Sequence, residues 1–560
     1  MRLSNIFLLC MAAACMPALI SCDEKPTGVS TKRPVGSGGD EPDNPDPTPG
    51  GDIVSPKPGF TCTLQNTVVN TADTRQVMEG FGASDCWLPN WIGQYWTGNR
   101  QQLATWLFSQ RISKGKPDGI GLSMWRVNLG AGTFEAGDAS GINQDNANNR
   151  AEAFLVNGSY NWDKCAGQRY FMDQAKQMGV ENFVLFSNSP LVQWTLNGQG
   201  RSDSRWEANL KEDCYDDFAD YMATVAEHFI GQGYNVTHVS PVNEPQYNWD
   251  GNSQEGSGWL NRQIKQLAVE MDKAFKSKGI STRILVPEAA AWNYLYEYDN
   301  NNRGRTSQIQ ELFDPASENY IGDLSSVDKV VAGHSYWTFD NWNHMRDVRK
   351  KVADAAAPKG LRVWQTEWSM LDKEPSELGG SYGDVSEFDI AQYMSRVIHN
   401  DIVMAGCTSW CYWTAMSVER YDQKNRFELI KTTPSGGNYS NDFTGGGNVD
   451  ATHNLWVLGN YSRFIRPGYI RVGLKANENK DFFGTAYVSP DGKTVVAVYT
   501  NYDKEKGVTL TNSFDNGKTP ATVTRYTTTA TRHLEEDRFN IADNVFLEPA
   551  SVTTIVYTFE

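Results

Sequence analysis

Short, unbroken apolar runs recur between residues 79 and 413, and amphipathic stretches separate them. The runs are EGFGAS (79–84), GIGLSMWRVNL (119–129), NFVLFS (182–187), VTHVSPV (236–242), RILVP (283–287), KVVAGHSY (329–336), LRVWQTE (361–367) and CTSWCYW (407–413). Between them, CAGQRYFMDQAKQMG (165–179), YDDFADYMATVAEHFIGQG (215–233) and GWLNRQIKQLAVEMDKAFKSKG (258–279) space their apolar residues as amphipathic helices do. Apolar runs too short for helices, alternating with amphipathic helices, predict parallel strands covered by helices. Eight such units predict an α/β fold, a (β/α)8 TIM barrel with long loops.

After LWVLGNYSRFIRPG (455–468) the helical spacing stops. Stretches such as KTVVAVYTN and ASVTTIVYTF follow, with turn signals at Pro490-Asp491-Gly492 and Asn516-Gly517. These predict an antiparallel β-sandwich side domain. The strands expected in residues 59–77 precede the barrel and need partners, so the side domain is expected to draw on both chain ends. The expected boundaries are 78–466 for the barrel and 467–560 for the C-terminal part of the sandwich.

The N-terminus changes the picture of where the chain works. MRLSNIFLLCMAAACMPALISC combines an early Arg2 with an apolar run and ends in Leu19-Ile20-Ser21-Cys22. Residues 1–21 read as a secretory signal. The final four residues resemble a bacterial lipobox, which implies cleavage before Cys22 and lipidation of its sulfur. Asp23 and Glu24 resemble a surface-export signal of outer-membrane lipoproteins. Residues 22–58 are rich in Pro, Gly, Asp and Ser and cannot bury a core, so they read as a disordered tether. A flexible coil of that length reaches on the order of 30 Å. The expected location is the outer membrane, with the folded body at the cell surface.

A net charge of −16 argues against nucleic acid and anionic membrane as partners, leaving the lipid anchor as the only membrane contact. Eighteen tryptophans hint at sugar, because aromatic faces pack on carbohydrate C–H faces; Trp-rich cores are the alternative. Six cysteines lie beyond Cys22, and no Cys or His cluster has zinc spacing. No metal or cofactor is expected, and the chain is expected to act as a monomer on a poly- or oligosaccharide.

In a TIM barrel the working residues sit at the C-terminal ends of strands. Those ends carry Asp85, Asn128, Asn188, Asn243 with Glu244, Glu288, Tyr336, Glu367 and Trp413. Glu244 closes the fourth strand and Glu367 the seventh, so the two carboxylates face one another across the mouth. Such a pair suits glycoside hydrolysis, where one acid protonates the leaving oxygen and the other attacks or activates water. Other chemistries fit poorly. Gly333-His334-Ser335-Tyr336-Trp337 lacks the closing glycine of a serine-hydrolase elbow. Asn512 stands where a phosphate loop ending in Gly517-Lys518-Thr519 needs glycine.

EGFGASDCW (79–87), SMWRVNLGAG (123–132), SNSPLVQWTLNG (187–198), PVNEPQYNW (241–249), HSYW (334–337), WQTEWSM (364–370) and SRFIRPG (462–468) together resemble glycoside hydrolase family 30. The resemblance implies a retaining mechanism with Glu244 as acid/base and Glu367 as nucleophile. It implies that Asn243 bonds the sugar 2-hydroxyl, that Asp85 and Trp125 line the −1 pocket, and that Arg126 orients the nucleophile. Trp194, Tyr336 and Trp413 would form aromatic walls, and Glu288 would support the acids from behind. The segments 187–198 and 243–259 look most like the endo-β-1,6-galactanase branch. A β-1,6-glucanase or xylanase of the same family is the rival reading, and a non-catalytic glycan-binding lipoprotein is the rival from another class.

Overall fold

Eight parallel strands close into a barrel in the computed structural model, which describes residues 55–560 apart from 204–205, 372–374, 380–384, 421 and 512. The signal segment, Cys22 and the tether up to residue 54 lie outside the described residues. The strands are β1 (Gly80–Ser84), β2 (Met124–Asn128), β3 (Asn182–Phe186), β4 (Val236–Ser240), β5 (Arg283–Ala289), β6 (Val327–His334), β7 (Arg362–Glu367) and β8 (Cys407–Tyr412). Each pairs with the next in sequence, and β8 closes on β1 with Ser409 opposite Gly80 and Tyr412 opposite Ala83. The eight units read from the hydrophobic pattern are therefore the eight barrel strands. Several ends differ from the reading, most of all at β2, where the run from 119 becomes a strand only at Met124. β4 stops at Ser240, because Pro241 has no N–H to give the ladder. β6 stops at His334 instead of Tyr336.

Alternation along each strand divides two cores. Met124, Val184, Leu285, Val330, Ala332, Trp364 and Cys411 fill the barrel's interior. Their strand neighbours Trp125, Phe183, Leu185, Val331 and Val363 point outward to the helices. The motif 462–468 is a clasp between the two halves of the chain: Arg463 Nη1 donates to the Ser109 and Gly119 carbonyls at 3.0 and 2.9 Å, and Ser462 Oγ to that of Ile120 at 2.7 Å.

The side domain is a sandwich. Val68–Val77 pairs antiparallel with Ile470–Lys475 inside an eight-stranded sheet, so both chain ends build it. A three-stranded sheet of Cys62–Gln65, Gly507–Leu510 and Val545–Leu547 covers one face. Residues 494–501 read as unbroken apolar because both faces are buried: Val495, Ala497 and Tyr499 face the small sheet, while Val496 and Val498 pack on the barrel's helices. The sandwich is not wholly antiparallel. Cys62–Gln65 runs parallel to Gly507–Leu510, and Val68–Val69 parallel to Ser513–Phe514. Strands from opposite chain ends share no hairpin, so nothing forces them antiparallel.

The six cysteines of the folded body are free thiols, five of them buried. Among the described residues no helix is long and apolar enough to cross a membrane.

Candidate active site

Glu244 stands four residues past the end of β4, on backbone with φ of 43°. Few non-glycine residues adopt that conformation, and here the Glu244 N–H is held by the Glu288 carbonyl at 3.0 Å. Glu367 is the last residue of β7, paired in register with His334 of β6. A carboxylate oxygen of Glu244, one of Glu367 and an imidazole nitrogen of His334 lie within 4.8 Å of one another.

Most polar groups of this cluster are held by a neighbour in it, although Arg126 Nε is buried without a partner. Arg126, projecting inward from β2, donates from Nη1 to Glu367 Oε2 at 2.6 Å and from Nη2 to Asn243 Oδ1 at 3.2 Å. Its guanidinium lies over the Phe186 ring, 3.7 Å from the centroid. Tyr336 donates its hydroxyl to Glu367 Oε1 at 3.2 Å. His334 bridges two acids, with Nδ1 3.0 Å from Glu244 Oε1 and Nε2 3.1 Å from Glu288 Oε2. Glu288 also accepts from Ser240 Oγ at 2.8 Å and from the Thr366 hydroxyl, and lies 3.8 Å from Arg126.

The charges sort the three acids. Burial raises the Glu244 pKa, and the negative charge of Glu367 adds to it; His334 opposes but does not cancel the rise. Burial would raise Glu288 as well, but Arg126, His334 and Thr366 together outweigh it and bring its pKa down to about 2. Burial disfavours a charged His334, yet Glu367 and the bonds to Glu244 and Glu288 raise it to about 9. Arg126 and His334 thus favour the ionised form of Glu288, whereas burial and the neighbouring Glu367 favour the protonated form of Glu244.

Glu244, His334 and Glu367 are also the one group among the described residues with spacing suited to a metal ion. An imidazolium whose two nitrogens both donate to carboxyl oxygens has no lone pair to offer, so the donor set does not fit one.

The model of O-glycosyl hydrolase family 30 matches residues 64–427. The chain belongs to that family. An endo-β-1,6-galactanase of Hypocrea rufa is 25% identical over 357 residues, spanning 60% of this chain and 64% of that protein. The glucuronoxylanase XynC of Bacillus subtilis is 22% identical over 517 residues, 89% of this chain and 93% of that one. The crystal structure of a conserved exported protein from Bacteroides fragilis, 30% identical, superposes with a TM-score of 0.80 over 88% of this chain and 99% of that one.

Within this family 30 barrel, Glu244, Glu367, Asn243, Arg126 and Tyr336 converge as the sequence suggested. Trp413 sits beside them: it packs with Cys86 and Phe186, and its ring meets Trp87 edge-on at 5.4 Å. Three other expected residues do not reach the mouth. Trp125 is fully buried in the outer core, edge-on to Phe108 at 5.0 Å. Met124 and Arg126 point inward, and strand alternation sends Trp125 out. Asp85 is fully buried too; one carboxylate oxygen accepts the Asn128 N–H at 2.8 Å and the other Gln168 Nε2 at 2.9 Å. It ties the ends of β1 and β2 to the helix Ala166–Gln177, and burial raises its pKa to about 7. Trp194 lies on the loop after β3 and packs edge-on against Phe218 and Tyr221 of the helix Tyr215–Gly231, on the outer side of the barrel.

His334 is the central residue that the sequence reading missed. Its signal was the parity of β6, which was read as ending at Tyr336. Two further groups complete the wall. Asn188 donates to Asn128 Oδ1 at 3.2 Å and to Cys86 Sγ at 3.7 Å, while its own Oδ1 is buried and unpaired. The buried indole N–H of Trp87 is unpaired as well. Buried polar atoms left open beside an acid pair are suited to sugar hydroxyls.

Proposed function

We propose that this family 30 protein is a retaining glycosidase that cleaves β-1,6-linked galactan, held at the cell surface through an acylated Cys22. The observation that carries the mechanism is the carboxylate spacing. With an oxygen of Glu244 within 4.8 Å of one of Glu367, the pair is close-set, which supports the ~5–5.5 Å carboxyl separation of retaining enzymes over the roughly 6.5–9.5 Å of inverting ones.

Glu367, steered by Arg126 and Tyr336, attacks the anomeric carbon while Glu244 delivers its proton to the departing oxygen. The covalent glycosyl-enzyme removes the charge of Glu367 from beside Glu244. With that charge gone the Glu244 pKa falls, and the residue takes a proton from the attacking water. Asn243, oriented by Arg126, is placed for the 2-hydroxyl.

The galactan assignment is supported by the resemblance at 187–198 and 243–259 and by the similarity to the fungal endo-β-1,6-galactanase. With Asp85 sealed inside, the open Oδ1 of Asn188 takes its place as the candidate for telling galactose from glucose. An acceptor left unpaired by the wrong epimer costs about 1–3 kcal/mol, enough for tenfold selectivity. The test is kcat/KM of purified protein on debranched β-1,6-galactan, β-1,6-glucan and glucuronoxylan. Preference for the glucan or the xylan moves the substrate to the rival readings. No hydrolysis of any glycan leaves the glycan-binding reading in possession.

A further inference from the structure

Trp194 is displaced from the mouth, yet it lines a second cleft of about 460 Å³ together with Tyr160, Gln193, Asp217, Asp220 and Gly158. The cleft is large enough for a short oligosaccharide. Its position follows from the topology. Residues 155–160 belong to the connection after β2, and residues 193–194 to that after β3. Asp217 and Asp220 lie in the first turns of the helix Tyr215–Gly231. All three therefore lie at the C-terminal ends of strands, on the face that carries Glu244 and Glu367 but outside the ring of strands.

The cleft is walled by stacked rings and carries carboxylates. Tyr160 stacks on Trp162 at 5.1 Å and 15°, and Trp162 stacks on His228 at 3.7 Å and 3°. Tyr160 also lies nearly parallel to Tyr221, at 16°, whereas Trp194 meets Tyr221 at 72°, so the two lining rings are steeply inclined to each other. Asp220 is oriented by Lys278 at 3.0 Å and Thr224 at 3.3 Å. Asp217 is exposed beside it. Two inclined aromatic faces and two carboxylates lining one cleft suit a pyranose ring, whose C–H faces pack on aromatics and whose hydroxyls donate to carboxylates. Asp213, Asp216, Asp217 and Asp220 make the rim acidic, which repels uronate-bearing chains.

We propose that this cleft is a non-catalytic subsite for a neutral stretch of the polysaccharide, holding the polymer on the catalytic face away from the cleavage point. The proposal rests on the glycosidase reading of the mouth and extends it to polymer capture. A chain bound at both places gains affinity from the second contact, while a small glycoside does not.

The test uses the full chain. In Glu367→Gln protein, to stop turnover, retardation is measured in native gels cast with debranched β-1,6-galactan, β-1,6-glucan or glucuronoxylan. Trp194→Ala is expected to weaken retardation by the neutral polymer roughly tenfold. Asp217→Ala, at an exposed position, is expected to weaken it about threefold and keeps the test valid should Trp194→Ala fold poorly. With Glu367 restored, both variants should raise KM for the polymer and leave aryl glycoside turnover unchanged. Unchanged retardation and polymer KM in both variants overturn the subsite, as does stronger retardation by glucuronoxylan than by either neutral polymer. Wild-type protein that hydrolyses no glycan overturns the catalytic reading instead, and the gels still report on the cleft.

Discussion

His334 Nδ1 lies 3.0 Å from Glu244 Oε1, so the residue proposed as acid/base rests against the imidazole that also meets Glu288. This contact sets how far the proton affinity of Glu244 rises: burial and Glu367 push it up, and His334 pulls it back. Replacing His334 by Phe removes the opposing charge, so the Glu244 pKa should climb further. The basic limb of the kcat/KM profile, where Glu244 loses its proton, should shift to higher pH as kcat falls. A limb that stays in place or moves to lower pH would contradict the arrangement.

The two acids should differ in their response to deletion. Glu367→Ala should abolish turnover of every substrate. Glu244→Ala should keep forming the glycosyl-enzyme from substrates with good leaving groups, and added azide should trap it as a β-glycosyl azide. NMR of the early product identifies the anomer. Initial inversion would rule out the retaining mechanism, and equal loss on activated and unactivated substrates would overturn the role given to Glu244.

Adjacent positions on β2 should separate cleanly. Arg126→Lys loses the planar fork that holds both Glu367 and Asn243, and kcat/KM should drop at least a hundredfold. Trp125→Ala empties an outer-core site and should cost about 3–5 kcal/mol of stability in urea unfolding. The less drastic Trp125→Phe should fold and keep wild-type kinetics. Asp85→Ala likewise should lower stability without altering the galactan-to-glucan ratio. Changed selectivity in either Trp125→Phe or Asp85→Ala would return that residue to the substrate pocket.

Glu288 links the site to acid stability. Its pKa of about 2 lies below the ordinary 4.5, so it stabilises the fold at pH values above 4.5 and loses that contribution as pH falls from 4.5 toward 2. The contribution is on the order of 3 kcal/mol. In urea unfolding, the stability gap between wild type and Glu288→Gln should be wide at pH 6 and narrow toward pH 2.5. A gap independent of pH would show that Glu288 is not the group titrating.

Anchoring is tested at the N-terminus. Cys22→Ala should move the protein from membrane fractions to the soluble fraction of an expressing cell. Retention of the variant on membranes would sink the lipid-anchor proposal.

Much of this protein follows from local pattern. Eight short apolar runs separated by amphipathic helices admit few folds besides the barrel, and Pro241 ends β4 just before Asn243 and Glu244. Because a parallel barrel gathers its strand ends at one face, Glu244 and Glu367 were legible as a pair despite their distance in sequence. The side chains' directions were less legible. Period-two alternation makes Arg126 and Trp125 mutually exclusive at the mouth, and the same parity takes Asp85 outward with Phe81 and Ala83. A two-residue error at the end of β6 hid His334, because an extended strand does not reveal where its ladder stops. Partners beyond the Glu244–Glu367 pair and the Arg126 contact were not legible. That His334 bridges Glu244 and Glu288, and that Trp194 turns to a second cleft, depend on which loops and strands meet in space; tertiary packing alone decides that.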